Sequence, residues 1–230
     1  MSNSNPDPVA HALRYPFDPP TESYVFQGGR ARPMDRNLDI DDRMPVIASG
    51  SNASPTRLAE KFGHDGDTVI PVETATLSGH VAAYSAHVAR YGSIAATLHP
   101  QTDAEAAVHV TWLTPEQCER MHETEAIGLN YGFYRLKGLT LQTGTGRTLD
   151  NAYAYISLRG TLHVADRPAT LDRWPQPAIV DHFRQKLAPT LSLEAFVGRL
   201  LEDPDYRRTA TEALAVYARL FPGETIERLL

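Results

Sequence analysis

Two short segments carry residue types that together suit acyl chemistry. They are the turn Ser49-Gly50-Ser51-Asn52 and the acidic stretch Met121-His122-Glu123-Thr124-Glu125. The turn follows the apolar run Pro45-Val46-Ile47-Ala48. It leads into Ser54-Pro55, which reads as a helix N-cap followed by proline at the first helical position. A strand, a glycine turn and a helix in that order aim free backbone N–H groups at an anion or a polarised carbonyl. A glutamate nearby can take a proton from one atom and return it to another. Glu123 lies two residues from Glu125 and faces elsewhere on a helix, which argues against a paired-carboxylate site.

Other chemistries are less well supplied. The nine histidines include no His-x-x-x-His pair and no partnered cysteine, so neither a metal nor any other cofactor is expected. Strand alternation puts Ser85 and His87 on one face and Tyr84 and Ala86 on the other, making His87 a candidate cavity residue. His122 precedes Glu125 and is a candidate to tune it, with a surface histidine the expected reading of both His87 and His122. Ser51 is a poor nucleophile candidate, because no Gly-x-Ser-x-Gly elbow surrounds it. Cys118, the one cysteine, excludes a disulfide framework and sits at an apolar helix position, as a small buried residue would.

These residues need a scaffold, and the chain is long enough to build one. Its 230 residues, 42% hydrophobic, fit one full domain with an appendage. The 28 acids against 22 bases argue against a nucleic-acid surface. The start, Met1-Ser2-Asn3-Ser4-Asn5-Pro6, has no basic and apolar leader pattern, and no apolar run reaches a membrane-spanning length. A soluble cytoplasmic protein that binds neither membrane nor nucleic acid is therefore expected. Residues 1–43 read as a proline-rich, extended arm that packs over the main domain at least from Tyr15 to Phe26.

Residues 44–164 are strand-rich. Strands are predicted at 46–48, from 69, at 81–88, 94–98, 107–113, 131–141 and 152–158. A helix over 55–62 carries Leu58 and Phe62 on one face. A second starts at the capping box Thr114-Pro115-Glu116-Gln117 and runs to about Glu123. Gly144-Thr145-Gly146 reads as a turn. Residues 165–230 read as a helical extension, with Ser192 as an N-cap, an apolar stripe through Leu193, Phe196, Val197 and Leu200, and a second through Leu214, Tyr217 and Phe221.

The order of these segments over residues 44–158 resembles the γ-glutamylcyclotransferase-like superfamily. Its turn of Tyr-Gly-Ser-Asn type is similar to Ser49-Gly50-Ser51-Asn52. Its Gly-Gly-Ile-Ala-Thr turn is similar to Gly92-Ser93-Ile94-Ala95-Ala96-Thr97. Its Val-Trp strand and short acidic helix are similar to Trp112-Leu113-Thr114-Pro115 followed by Met121-His122-Glu123-Thr124-Glu125-Ala126. A tyrosine before the next strand corresponds to the stretch Asn130-Tyr131-Gly132-Phe133-Tyr134-Arg135. The resemblance implies an α+β fold, a small mixed barrel-like sheet with short helices. It implies Glu125 as the catalytic acid/base, and Ser49, Gly50, Ser51, Asn52 and Tyr134 as the residues that hold a γ-glutamyl group.

Three positions depart from the family pattern. Ser49 stands where a tyrosine is usual, Ala126 where a glycine follows the glutamate, and His122 where an aspartate precedes it. The expected activity is cyclisation of a γ-glutamyl amine or amino acid to 5-oxoproline and the free amine, with the carboxylate-bearing small molecule as partner. Partial burial of Glu125 behind Trp112 or Tyr134 is expected to raise its pKa. The alternative is a binding or interaction module on the same fold, without turnover.

Overall fold

A computed structural model describes residues 7–34, 39–64, 66–222 and 226–230. The stretch Met1–Pro6, where no leader pattern is expected, lies outside the described residues. In chain order the elements begin with α1 (Pro8–Leu13), β1 (Tyr24–Gln27), β2 (Arg30–Pro33), β3 (Met44–Ala48) and α2 (Pro55–Phe62). The long strands β4 (Val69–Val88) and β5 (Ile94–Leu113) follow, then α3 (Pro115–Thr124), β6 (Tyr131–Thr143) and β7 (Thr148–Ser157). Short strands β8 (Thr161–Val164) and β9 (Arg167–Pro168) precede α4 (Gln176–Leu187), α5 (Leu193–Glu202) and α6 (Pro204–Leu214). The chain closes with β10 (Ala218–Arg219) and β11 (Ile226–Arg228).

The sheet closes on itself. Strand β4 pairs β5, β5 pairs β3, β3 pairs β7, β7 pairs β6, and β6 returns to β4. The result is a five-strand barrel, mixed because β3 and β7 run parallel while the other pairs are antiparallel. With the short helices around it, this is the α+β arrangement that the sequence predicts. Alternation along each strand sends one set of side chains inward. Leu77, Leu98, Val110, Leu136, Leu141 and Ile156 belong to the cluster built from all five barrel strands. Trp112 belongs to the same cluster.

The separate strands predicted between 69 and 113 are two continuous ones of twenty residues each. The register shifts between Ser78 and His80, where Gly79 takes φ +73°, and again between Tyr84 and Val88. Bulges of this kind bend a strand without ending its ladder, so breaks in the apolar pattern read as strand ends from sequence.

Helices α2 and α3 pack on the barrel through Leu58 and Met121, both essentially fully buried beside Phe26, Ile70 and Val72. Burying a side chain of that size stabilises by about 2 kcal/mol. Helix α3 starts at the predicted capping box: the Thr114 side chain accepts from the Gln117 N–H, and the Gln117 side chain accepts from the Thr114 N–H. Helices α4, α5 and α6 form a third cluster with α1 and the ends of β4 and β5. The Ser192 side chain caps α5.

Two local expectations fail. Helix α6 stops at Leu214, and Tyr217 lies in a 3-10 turn followed by β10, so Leu214, Tyr217 and Phe221 share no helix face. The arm is not simply extended. It holds α1, whose Pro8 sits in the first turn where a missing N–H costs nothing. Its Tyr15, Phe17, Tyr24 and Phe26 are all buried.

Candidate active site

The turn after β3 and the end of α3 meet. The Asn52 side-chain amide donates to Glu125 Oε1 at 3.0 Å. Ser49, Gly50, Ser51, Asn52 and Glu125 all line one cavity of about 550 Å³. Two elements set this distance. Strand β3 ends at Ala48 and delivers the turn, and α3 has Glu125 as its C-cap residue. A larger cavity of about 790 Å³ lies across Ala48, Ser49 and Gly50, but Glu125 is not part of it.

Tyr134 is not in the Glu125 cavity. It packs against the barrel cluster, whereas Tyr131 lines the cavity. The two are three apart on β6, so alternation puts them on opposite faces. The β6 tyrosine that lines this cavity is Tyr131, while Tyr134 lies on the barrel face.

Lys61 is the group that sequence reading missed. It is 5% exposed and forms an ion pair with Glu125, its ammonium also lying 3.2 Å from Met121 Sδ. The signal was present in the helix pattern. Lys61 stands three residues after Leu58 and beside Phe62, on the buried stripe of α2, where a lysine needs an anionic partner.

This pair overturns the expectation of a raised Glu125 pKa. Burial does push the carboxyl up, but Lys61, Asn52 and Arg57 outweigh it and hold Glu125 below the usual carboxylate range. Burial also lowers the Lys61 pKa, against the pull of Glu125. The pair is a buried ammonium and carboxylate, and Glu125 is ionised at neutral pH.

Ala126, directly after Glu125, has φ +47°. That left-handed conformation suits glycine, whose missing Cβ removes the clash. Ala126 adopts it at a cost in strain.

The opposite wall is phenolic. Tyr15, Tyr91, Tyr131 and Tyr155 line the cavity, and Ser49 adds no ring. Tyr131 donates to the Ala96 carbonyl at 2.8 Å. Tyr155 pairs with His122 Nδ1 at 2.8 Å, so His122, whose pKa burial lowers, bonds Tyr155 rather than Glu125. Tyr91 lines the cavity with Ser51. The Arg57 guanidinium lies 4.6 Å from the Tyr91 ring centre, a cation–π contact.

His87 is buried and lines the cavity rather than the surface. Its Nδ1 lies 2.8 Å from Ser85 Oγ, which in turn lies 2.7 Å from Ser157 Oγ. Burial, the largest influence, lowers its pKa to about 4, so the ring is neutral at pH 7.

The turn itself is tighter than an open anion cradle. Ala53 N–H bonds the Gly50 carbonyl and Ser54 N–H bonds the Ser51 carbonyl. Ser54 occupies the N-cap position of α2, but its hydroxyl donates to the Phe17 carbonyl at 2.8 Å instead of capping the helix. Gly50 is required by close approach: a Cβ there would meet the Tyr15 hydroxyl oxygen at 2.2 Å.

No protein-family model and no curated protein matches the chain. Solved structures similar to it include an Arabidopsis thaliana protein solved in solution, at TM-score 0.42 and 13% identity, covering 67% of this chain and 99% of that one. A gamma-glutamyl cyclotransferase is also among them. Its TM-score is 0.38 at 15% identity, over 50% of this chain and 66% of that one. An uncharacterized Homo sapiens protein gives 0.41 and 14%, over 80% and 94%. The groups lining the cavity, not these similarities, carry the chemistry. No helix among the described residues is long and apolar enough to cross a membrane.

Proposed function

We propose that the cavity takes a small γ-glutamyl amide and cyclises it, with Glu125 moving the proton. The observation that carries this reading is the Asn52–Glu125 hydrogen bond, which brings a buried carboxylate to the glycine turn inside one cavity. In the reaction the substrate's α-nitrogen attacks its own γ-carbonyl carbon. One C–N bond forms the five-membered lactam and the original amide C–N bond breaks. Glu125, ionised at neutral pH, accepts a proton from the α-ammonium and delivers it to the departing nitrogen; the second proton that the α-nitrogen loses on ring closure ends on the released amine, which leaves as its ammonium. Water, metal and redox cofactor do not enter that balance. Holding the substrate folded supplies proximity, worth roughly 7–11 kcal/mol in well-oriented cases.

The charge inventory supports an anionic substrate. Lys61 pairs with Glu125, Arg57 with Glu60, and Glu123 with Arg120. Arg90 lines the cavity and has no ion-pair partner among the described residues. It suits the α-carboxylate of a glutamyl group.

One observation favours the second reading, a binding module without turnover. Lys61 holds Glu125 low, and a carboxylate held low is a weak base and a poor acid at neutral pH. The deciding experiment mixes the purified protein with a panel of γ-glutamyl amines and amino acids and measures 5-oxoproline. Release from any panel member supports the enzyme. No release, together with saturable binding of L-glutamate, supports the module and overturns the enzyme.

A further inference from the structure

The four cavity phenols differ in what their protons do. Tyr131 spends its proton on the Ala96 carbonyl. Tyr155 bonds the His122 side chain, and Tyr91 offers its ring face to the Arg57 guanidinium. Tyr15 is different: its oxygen accepts from the Ala96 N–H at 2.7 Å. Burial holds the Tyr15 phenol well above the ordinary tyrosine range, so it keeps its proton. With the Ala96 N–H on its oxygen, Tyr15 has its own O–H left to give. No acceptor for that proton is recorded among the described residues. The phenol lines the cavity and lies against Gly50, the position where a side chain would strike it.

The arm is built to hold this ring in place. Tyr15 is 5% exposed, stacks with Tyr91 at a centroid distance of 6.4 Å, and meets Phe17 edge-on at 5.6 Å. On one side of it the Ala12 carbonyl accepts from the Ser93 hydroxyl, and on the other the Phe17 carbonyl accepts from Ser54. These bonds tie both flanks of Tyr15 to the barrel and to the turn.

We propose that Tyr15, contributed by the N-terminal arm, is the hydrogen-bond donor that meets the substrate's acyl oxygen in this cavity. The inference rests on the γ-glutamyl reading above and deepens it. It adds a side-chain donor to the contact that the sequence assigns to the turn backbone alone. The Ala96 N–H strengthens Tyr15 as a donor by drawing electron density from its oxygen. The negative charge that develops on the γ-carbonyl oxygen during ring closure then meets a fixed phenol O–H. The arm is thereby part of the active site, and a chain starting after it lacks that donor.

The test compares wild type, Tyr15→Phe, 3-fluorotyrosine at position 15, and Tyr24→Phe. Tyr24 donates to the Ala53 carbonyl of the same turn from outside the cavity, so its loss reports a structural effect alone. The expected result for Tyr15→Phe is a fall in kcat of about 100-fold, the size seen when one oxyanion donor is lost, with KM little changed. The fluorinated phenol retains activity, and Tyr24→Phe lowers the melting temperature without that loss of kcat. A folded Tyr15→Phe variant with kcat within about threefold of wild type overturns the inference and leaves the γ-glutamyl reading standing. An equal loss of kcat in Tyr24→Phe also overturns it, because the effect is then structural. If wild type releases no 5-oxoproline and binds neither L-glutamate nor 5-oxoproline, the γ-glutamyl reading fails and takes this inference with it.

Discussion

The cavity has two unlike walls. The wall built by the turn and the ends of α2 and α3 is charged, with Asn52, Lys61 and Glu125 already bonded to one another. The wall built by the arm and by β4, β5 and β6 is neutral apart from Arg90 in the β4–β5 turn, with Tyr15, Tyr131 and an uncharged His87. The charged wall holds a proton acceptor whose charge is compensated before any ligand arrives. The neutral wall holds a donor whose proton is uncommitted. A substrate that loses a proton at one end while an oxygen gains charge at the other needs both.

The largest test of this division is Glu125→Gln. Turnover of a γ-glutamyl amide is expected to fall by about 1000-fold, within the range for loss of a positioned acid/base. At an exposed helix end this substitution would leave stability unchanged. The ion pair says otherwise, because the amide leaves Lys61 buried without a counter-charge. Thermal melting checks that loss.

Removing the other partner comes next. Lys61→Met is expected to cost about 3 kcal/mol, as breaking a buried pair does. It also releases Glu125 from the ammonium that holds its pKa down, so burial then raises it. The acidic limb of the pH–rate profile should move upward. The double variant Glu125→Gln with Lys61→Met recovers much of the stability, and denaturant unfolding of all four species measures the coupling.

The neutral wall makes a pH prediction. His87 has an ordinary pKa of 6.5 and a folded value of about 4. Between those values the unfolded chain binds the proton and the folded chain does not. Stability is full above pH 6.5 and falls as the pH drops towards 4, by up to about 3 kcal/mol from this residue. In His87→Gln that slope shrinks, and urea midpoints measured from pH 7 to pH 4 read it directly.

The smallest effect sharpens the charged wall. Ala126→Gly places a residue that tolerates φ +47° directly after Glu125. It should stabilise the protein by about 0.5–1 kcal/mol, the strain relieved less the entropy of glycine. A denaturation curve that shifts to lower denaturant contradicts the strain argument.

The barrel and the charged wall are far more legible from sequence than the neutral wall. Local chemistry marks the elements that make the charged wall: Pro55 at a helix start, the Thr114–Gln117 capping box, and Leu58 four residues before Phe62. Lys61 was readable too, as a charge on a buried stripe. The neutral wall depends on contacts between distant segments. Tyr15 reaches Gly50 and Ala96 only because the arm folds back across the barrel, and no spacing rule in a proline-rich segment encodes that. Choosing between Tyr131 and Tyr134 needed the register of β6, since a shift of one residue reverses which side of a strand faces the site. The two long strands hid behind their bulges for a related reason, because a bulge breaks the period that sequence reading follows.

The most direct measurement is a crystal structure of the protein soaked with 5-oxoproline, the product that the proposed reaction leaves in the cavity. The account predicts the lactam inside the 550 Å³ cavity. Its ring nitrogen should lie within hydrogen-bond reach of Glu125 and its ring carbonyl oxygen within reach of the Tyr15 hydroxyl, about 2.6–3.2 Å in each case. Lactam bound with its ring amide away from both groups, or bound only in the larger cavity across Gly50, would contradict it.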